Sequence, residues 1–174
     1  MIFLYYDLAG VKPPLDQWVE QDTRVQFATA FDKAAVRTTV RAELESAAAA
    51  VRGVGFIRVS MNAGLSDYDP TYGEFSVRAL APSSTLEFST LSNKVSVRFA
   101  NGRVAQLWRV PPQEAQVVRD KVGGYGNDVT LDALLRIVSV QPGNAGGTIT
   151  TEVIEYEMRE TRRGLTIGRV QVAQ

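Results

Sequence analysis

The sequence predicts an α+β fold: a mainly antiparallel, twisted sheet of about seven strands, forming a half-barrel or two layers, with one long N-terminal helix and one short helix. Three observations carry that reading. Residues 22–51 hold strong helix formers, contain neither Gly nor Pro, and stop just short of Gly53, a natural residue for the left-handed position that ends a helix. From residue 56 onward, short runs alternate apolar and polar side chains, the period of a strand with one buried face. Between two such runs stands Asn101-Gly102, the pair best suited to the positive φ angles of a type I′ turn.

Taken in order, Ile2-Phe3-Leu4-Tyr5-Tyr6 reads as a short apolar strand, closed by Asp7 and Gly10 and followed by Pro13-Pro14. A core or edge strand is the plain reading of so short an apolar run. In the helical stretch, Asp22 or Thr23 is placed to cap the first turn. At about 100° per residue, Val36, Val40, Leu44, Ala47 and Val51 form one stripe, while Phe27 and Phe31 fall nearly opposite. The helix is therefore either covered from two sides or broken near Asp32-Lys33. Arg37 and Arg41 share a face as a solvated flank, and residues 47–50 offer a narrow surface for close packing.

Residues 56–61 set Ile57, Val59 and Met61 on one face and Arg58 and Ser60 on the other. A loop over 62–73 follows, then a strand over 74–80 with Phe75, Val77 and Ala79 inward. Leu86 and Phe88 mark a short strand after the Pro82-Ser83-Ser84 turn. The runs 94–100 and 103–110 then close on Asn101-Gly102 as a two-residue hairpin. Its register puts Phe99 opposite Val104 and Val95 opposite Trp108, with Val95, Val97, Phe99, Val104 and Trp108 on the core face. Pro111-Pro112 opens a short helix over 113–122, which the glycines of residues 123–126 stop. Residues 129–140 form the longest strand, its β-branched tail deciding against a helix. A Gly/Pro loop over 141–147, a Thr- and Glu-rich strand over 148–158, a turn at Arg162-Arg163-Gly164 and a closing strand over 165–172 complete a single domain of 174 residues.

Composition narrows the function classes. Nineteen basic and nineteen acidic residues cancel, so no general electrostatic drive toward nucleic acid or an anionic membrane exists. Arginine far outnumbers lysine among the basic residues, a codon-level bias that points to a GC-rich bacterial genome. The chain has no cysteine and no histidine. That excludes a disulfide, a Cys or His zinc site, a thiolate nucleophile, an imidazole base and a Ser-His-Asp triad. Cysteine-free chains suit an oxidising compartment, so a periplasmic or secreted setting is expected, with a cytoplasmic one as the alternative. Residues 1–8 lack the basic n-region and apolar h-region of a signal peptide. No apolar run reaches membrane-spanning length.

The candidate binding residues are Asp67, Tyr68, Asp69, Tyr72, Trp108, Arg109 and Tyr125. Asp67 and Asp69, with Glu74 close by, place three carboxylates in one short stretch. Alternate loop oxygens suit a hard cation, but the pattern has no EF-hand ladder and reads as a surface turn. Two of these acids would serve a glycosidase only with one pKa raised. Tyr68, Tyr72 and Tyr125 lie in loops, where aromatics serve as contact anchors. Trp108 falls on the core face, as filling rather than a stacking platform. The glycines at 123–126 close a helix instead of opening one, which makes them a turn rather than a phosphate loop. Glu152, Glu155, Glu157 and Glu160 read as a charged strand exterior that discourages aggregation.

These readings call for no cofactor, no metal and no catalytic residue. The expected function is non-enzymatic binding of another protein or a cell-envelope component. The alternatives are a small-molecule or lipid carrier with a cavity between helix and sheet, Gln106 serving as its polar contact, or a carboxylate enzyme built on residues 62–75.

Overall fold

A computed structural model describes residues 1–90, 92–122, 128–144 and 146–172. The helices are α1 (Ile2–Leu8), α2 (Leu15–Gln21), α3 (Thr23–Gln26), α4 (Lys33–Ala49), α5 (Gly102–Ala105) and α6 (Pro112–Val122). The strands are β1 (Phe56–Gly64), β2 (Glu74–Ser76), β3 (Thr85–Thr90), β4 (Asn93–Phe99), β5 (Leu107–Arg109), β6 (Asp128–Gly143), β7 (Gly146–Glu160) and β8 (Thr166–Gln171). The α+β class holds. Six strands form one mostly antiparallel, mixed sheet in the order β1-β6-β7-β4-β3 with β8 beside β7, and β2 pairs with β5 in a second, small sheet. Among the described residues no helix is long and apolar enough to cross a membrane. The chain divides into two compact units: Met1–Val54 with Glu87–Ser96 and Ser139–Ile149, and Gly55–Leu86 with Val97–Val138 and Thr150–Gln174.

In the first unit, residues 2–6 belong to helix α1 and not to a strand. Five apolar residues in a row fit either period, so the packing partner decides. Here Phe3 and Tyr6 each set a ring edge against Trp18 of α2, with centroids 5.4 Å apart, while Ile2, Leu4 and Tyr5 are buried. Gly147 makes room for that helix, since a Cβ there would meet the Tyr5 ring at 2.5 Å.

The stretch 22–51 is broken rather than continuous. Asp22 caps α3 by accepting the Arg24 N–H at 2.8 Å, and α3 ends after one turn. The chain re-enters a helix at Lys33, where the Thr29 carbonyl accepts the Asp32 and Lys33 N–H groups. The break lets Val25, Val40 and Val19 meet in one cluster with Val36 and Leu44 beside it. Fully burying such side chains contributes about 1.5–3 kcal/mol each, which outweighs the few hydrogen bonds given up at the break.

In the second unit, β1 and β6 pair antiparallel with Ile57 opposite Leu135, Val59 opposite Ala133 and Met61 opposite Leu131. Along β6 the buried side falls on Val129, Leu131, Ala133 and Leu135. On β7 it falls on Ile149, Thr151 and Val153, then on Tyr156 and Met158. The buried side changes from odd to even positions between Val153 and Tyr156. That change falls where β7 exchanges one neighbour for another. Before it, the Ala100 N–H donates to the Thr151 carbonyl; beyond it, the Val172 N–H donates to the Ile154 carbonyl.

The expected Asn101-Gly102 hairpin does not form. Strand β4 leaves at Phe99, residues 102–105 coil into α5, and β5 pairs with β2. Gly102 is present for closeness and not for turn geometry: a Cβ there would sit 2.7 Å from the Leu80 carbonyl oxygen. Val95, Val97 and Phe99 are buried as the alternation requires, but Val104, assigned to the same face, is exposed. The 74–80 stretch is a strand only to Ser76 and then tightens into a 3₁₀ turn over Arg78–Leu80, which buries Leu80 in place of Ala79.

Candidate functional site

The segment between β1 and β2 is a tight reversal built by its own side chains. The Asp69 carboxylate accepts the N–H groups of Thr71 at 2.8 Å and Tyr72 at 3.3 Å, the usual way an aspartate closes a turn. The Asp69 carbonyl accepts the Gly73 N–H at 2.8 Å, and Gly73 takes a φ of 66°, where a side chain would strain the backbone. Asp69 and Glu74 pair across the turn. The Ser66 hydroxyl oxygen accepts the Ser76 N–H at 2.7 Å.

The aromatic residues nearby lock this reversal to β5. The Tyr68 hydroxyl donates to the Val110 carbonyl at 3.0 Å, and its ring lies 5.2 Å from that of Phe75. Phe75 in turn lies 5.5 Å from Trp108, its partner in the β2–β5 register. Trp108 is buried and its far edge rests on Gly168, where a Cβ would approach to 2.5 Å. Arg109 faces Glu74 across the small sheet, with Nε 3.3 Å from the carboxylate.

The sequence candidates therefore separate. Tyr68, Asp69 and Trp108 hold the small sheet together, while Asp67, Tyr72 and Arg109 reach solvent. Tyr125 lies outside the described residues. The Asp69 carboxylate accepts backbone N–H groups, and the Glu74 carboxylate faces Arg109. Among the described residues no group of three or more acidic side chains is placed to hold a metal ion. The chain matches no protein-family model, no curated protein and no solved structure.

Three of the solvent-open clefts among the described residues bear on these readings. One of about 420 Å³ runs beside Trp108 and Arg109, floored by Leu107, Val170 and Val172 and edged by Arg169. A second, of about 390 Å³, lies over the sheet surface and contains three arginines, Arg58, Arg159 and Arg169, against three acids, Asp132, Glu155 and Glu157. These charges neutralise one another: Glu157 binds Arg159 at 2.7 Å and also Arg169, and Arg58 reaches Glu155 at 3.4 Å. The hydrogen bond from Arg159 holds the Glu157 carboxyl below its ordinary range. The third is a shallow groove along α4 beside Thr39, Ala42, Ser46 and Ala50, open along its length rather than enclosed as a carrier cavity would be. Gln106 ends α5, and its backbone carbonyl accepts the Val77 N–H at 2.7 Å.

Two features escaped the sequence reading. Phe27 and Phe31 flank the break before α4 with 85% and 98% of their surface exposed; their position opposite the helix stripe was the signal. Glu160 is buried at the β7–β8 turn, where its carboxylate accepts the N–H groups of Arg162 and Arg163. Those bonds, that from Arg163 foremost, hold its carboxyl below the usual glutamate range.

Proposed function

We propose that the chain is a non-enzymatic binding domain that acts through surface contact with another protein or a cell-envelope component. The observation that carries this reading is the Phe27–Phe31 pair. Each ring is almost wholly in water, and neither adds to the core that Val25 and Val40 form beside them. Two large apolar side chains held out on a short, hydrogen-bonded connection are costly to keep there without an occupant. Aromatics of this kind supply most of the energy of a protein contact. Uncharged residues fill the whole stretch from Val25 to Phe31, which suits an apolar partner surface. Tyr72, 72% exposed at the tip of the β1–β2 reversal, is a further aromatic of the same type. The lack of cysteine supports an exported setting.

The test is a photoreactive phenylalanine analogue at position 31, with Thr38 as the exposed control position, irradiated in the producing cells. Flotation with zwitterionic and anionic vesicles runs in parallel. A discrete adduct or vesicle binding that depends on position 31 and vanishes in Phe27→Ser/Phe31→Ser is the expected result. Equal labelling at both positions together with no vesicle binding overturns the reading.

A further inference from the structure

We propose that strand β1 pairs edge to edge, antiparallel, with β1 of a second copy of this chain. The argument starts from the direction of its backbone groups. The Ile137 N–H donates to the Gly55 carbonyl at 2.9 Å. With the register that pairs Phe56 with Arg136, this makes the odd residues 57, 59 and 61 the ones that bond to β6. Phe56, Arg58 and Ser60 then direct their N–H and C=O groups away from the sheet. Among the described residues no strand lies on that side of β1 in the main sheet, and all three residues are exposed. At the far end the Arg78 side chain lies over Gly64.

A row of donors and acceptors at a two-residue spacing specifies its occupant: another extended backbone. The side chains specify which one. Leu131, Ala133 and Leu135 on β6 are fully buried, yet their partners Met61, Val59 and Ile57 at the edge are only half-buried. The apolar layer therefore stops one strand short of cover. An added strand must place apolar residues on that face and polar ones on the other, and β1 itself has this alternation. A two-fold axis at Val59 sets apolar residues of both copies side by side and brings Arg58 opposite Ser60, which avoids arginine against arginine. Apart from the single charge of Arg58, the strand lacks the usual guards of a solitary edge. Residues 56–64 contain no proline and no lysine, and the pairing with β6 runs without a bulge.

The test is sedimentation equilibrium across a concentration series, joined to amide hydrogen exchange. The wild-type chain is expected to assemble as two chains, with the Phe56, Arg58 and Ser60 amides protected only when assembled. Ser60→Pro removes an outward N–H and no bond to β6, so it should sediment as one chain while keeping the far-UV circular dichroism of the wild type. Val59→Lys puts a charge into the shared apolar layer and should also give one chain; it decides the matter if the proline variant folds poorly. Phe27→Ser/Phe31→Ser should assemble as the wild type does, which keeps this interface separate from the contact surface proposed above. A wild-type chain that sediments singly throughout, or an assembly that survives both β1 substitutions, overturns the proposal.

Discussion

The Asn101 side chain binds both backbone groups of Val153, Nδ2 donating to the carbonyl at 2.8 Å and Oδ1 accepting the N–H at 2.9 Å. It thereby copies one peptide unit of a neighbouring strand. Beside it on the same edge of β7, the Ala100 N–H meets Thr151 and the Val172 N–H meets Ile154, so the amide fills the gap between β4 and β8. Asn101→Ala should remove both bonds and leave two polar groups of a buried residue without partners, at a cost of about 2–4 kcal/mol. Asn101→Asp keeps only the acceptor and should recover less than half of that. Urea denaturation of the three proteins measures the order, and an alanine variant as stable as the wild type would remove the amide from its structural role.

Gly102 sets two principles against each other. It occupies the first turn of α5, where intrinsic preference favours alanine by up to about 1 kcal/mol. Against this, a Cβ would stand 2.7 Å from the Leu80 carbonyl oxygen and 3.2 Å from backbone atoms of Pro82. Backbone cannot give way as a flexible side chain does, so the overlap should win. Gly102→Ala is expected to destabilise by about 1–3 kcal/mol, with a fall in Tm as the readout. A rise in Tm would mean that the 3₁₀ turn over Arg78–Leu80 moves aside freely.

These two residues also show where sequence reasoning succeeded and where it failed. Asn101-Gly102 carried the strongest local turn signal in the chain, and the chain does leave its strand there. Both residues, however, serve contacts far away in sequence, the asparagine with Val153 and the glycine with Leu80, and no local rule contains them. The alternation in β1 and β4 was legible because one face of each meets a core. Residues 2–6 were misread because an unbroken apolar run has no period, and Trp18 supplied the missing information. On β7 the buried side shifts from odd to even positions between Val153 and Tyr156, which a strict two-residue period cannot follow. At the candidate site the turn around Asp69 was legible from its residue types. The engagement of Tyr68 with Val110, and the exposure of Phe27 and Phe31, depend on which faces tertiary packing covers.

Glu160 makes the fold sensitive to acid. Its carboxyl is held below the ordinary range by the N–H groups of Arg163 and Arg162, with the Arg163 guanidinium 3.7 Å away. A group with a lowered folded-state pKa stabilises the protein above its unfolded value, about 4.3 for glutamate, and that stability is lost as pH falls through the folded value. Glu160→Gln keeps the shape and one acceptor but loses the charge. It should lower Tm at neutral pH and narrow its gap from the wild type as the pH drops below about 4. A gap constant from neutral to acid pH would show that the charge does not matter.

Tyr156 gives the opposite limb. Its side chain is buried, and its hydroxyl has no hydrogen-bond partner among the described residues. Burial holds the phenol well above its ordinary ionisation range. A hydroxyl left in that state costs about 1–3 kcal/mol, so Tyr156→Phe, which keeps the ring, should be neutral or stabilising at pH 7. The linkage sign is fixed by the direction of the shift. A phenol whose folded-state pKa is raised leaves stability intact below the unfolded value, about 10, and removes it as pH rises further, because the unfolded chain releases its proton first. The phenylalanine variant should therefore retain more of its Tm than the wild type above about pH 10. Thermal melts from neutral to alkaline pH measure both effects together. If Tyr156→Phe costs stability at pH 7 and gains nothing at alkaline pH, the hydroxyl is partnered after all.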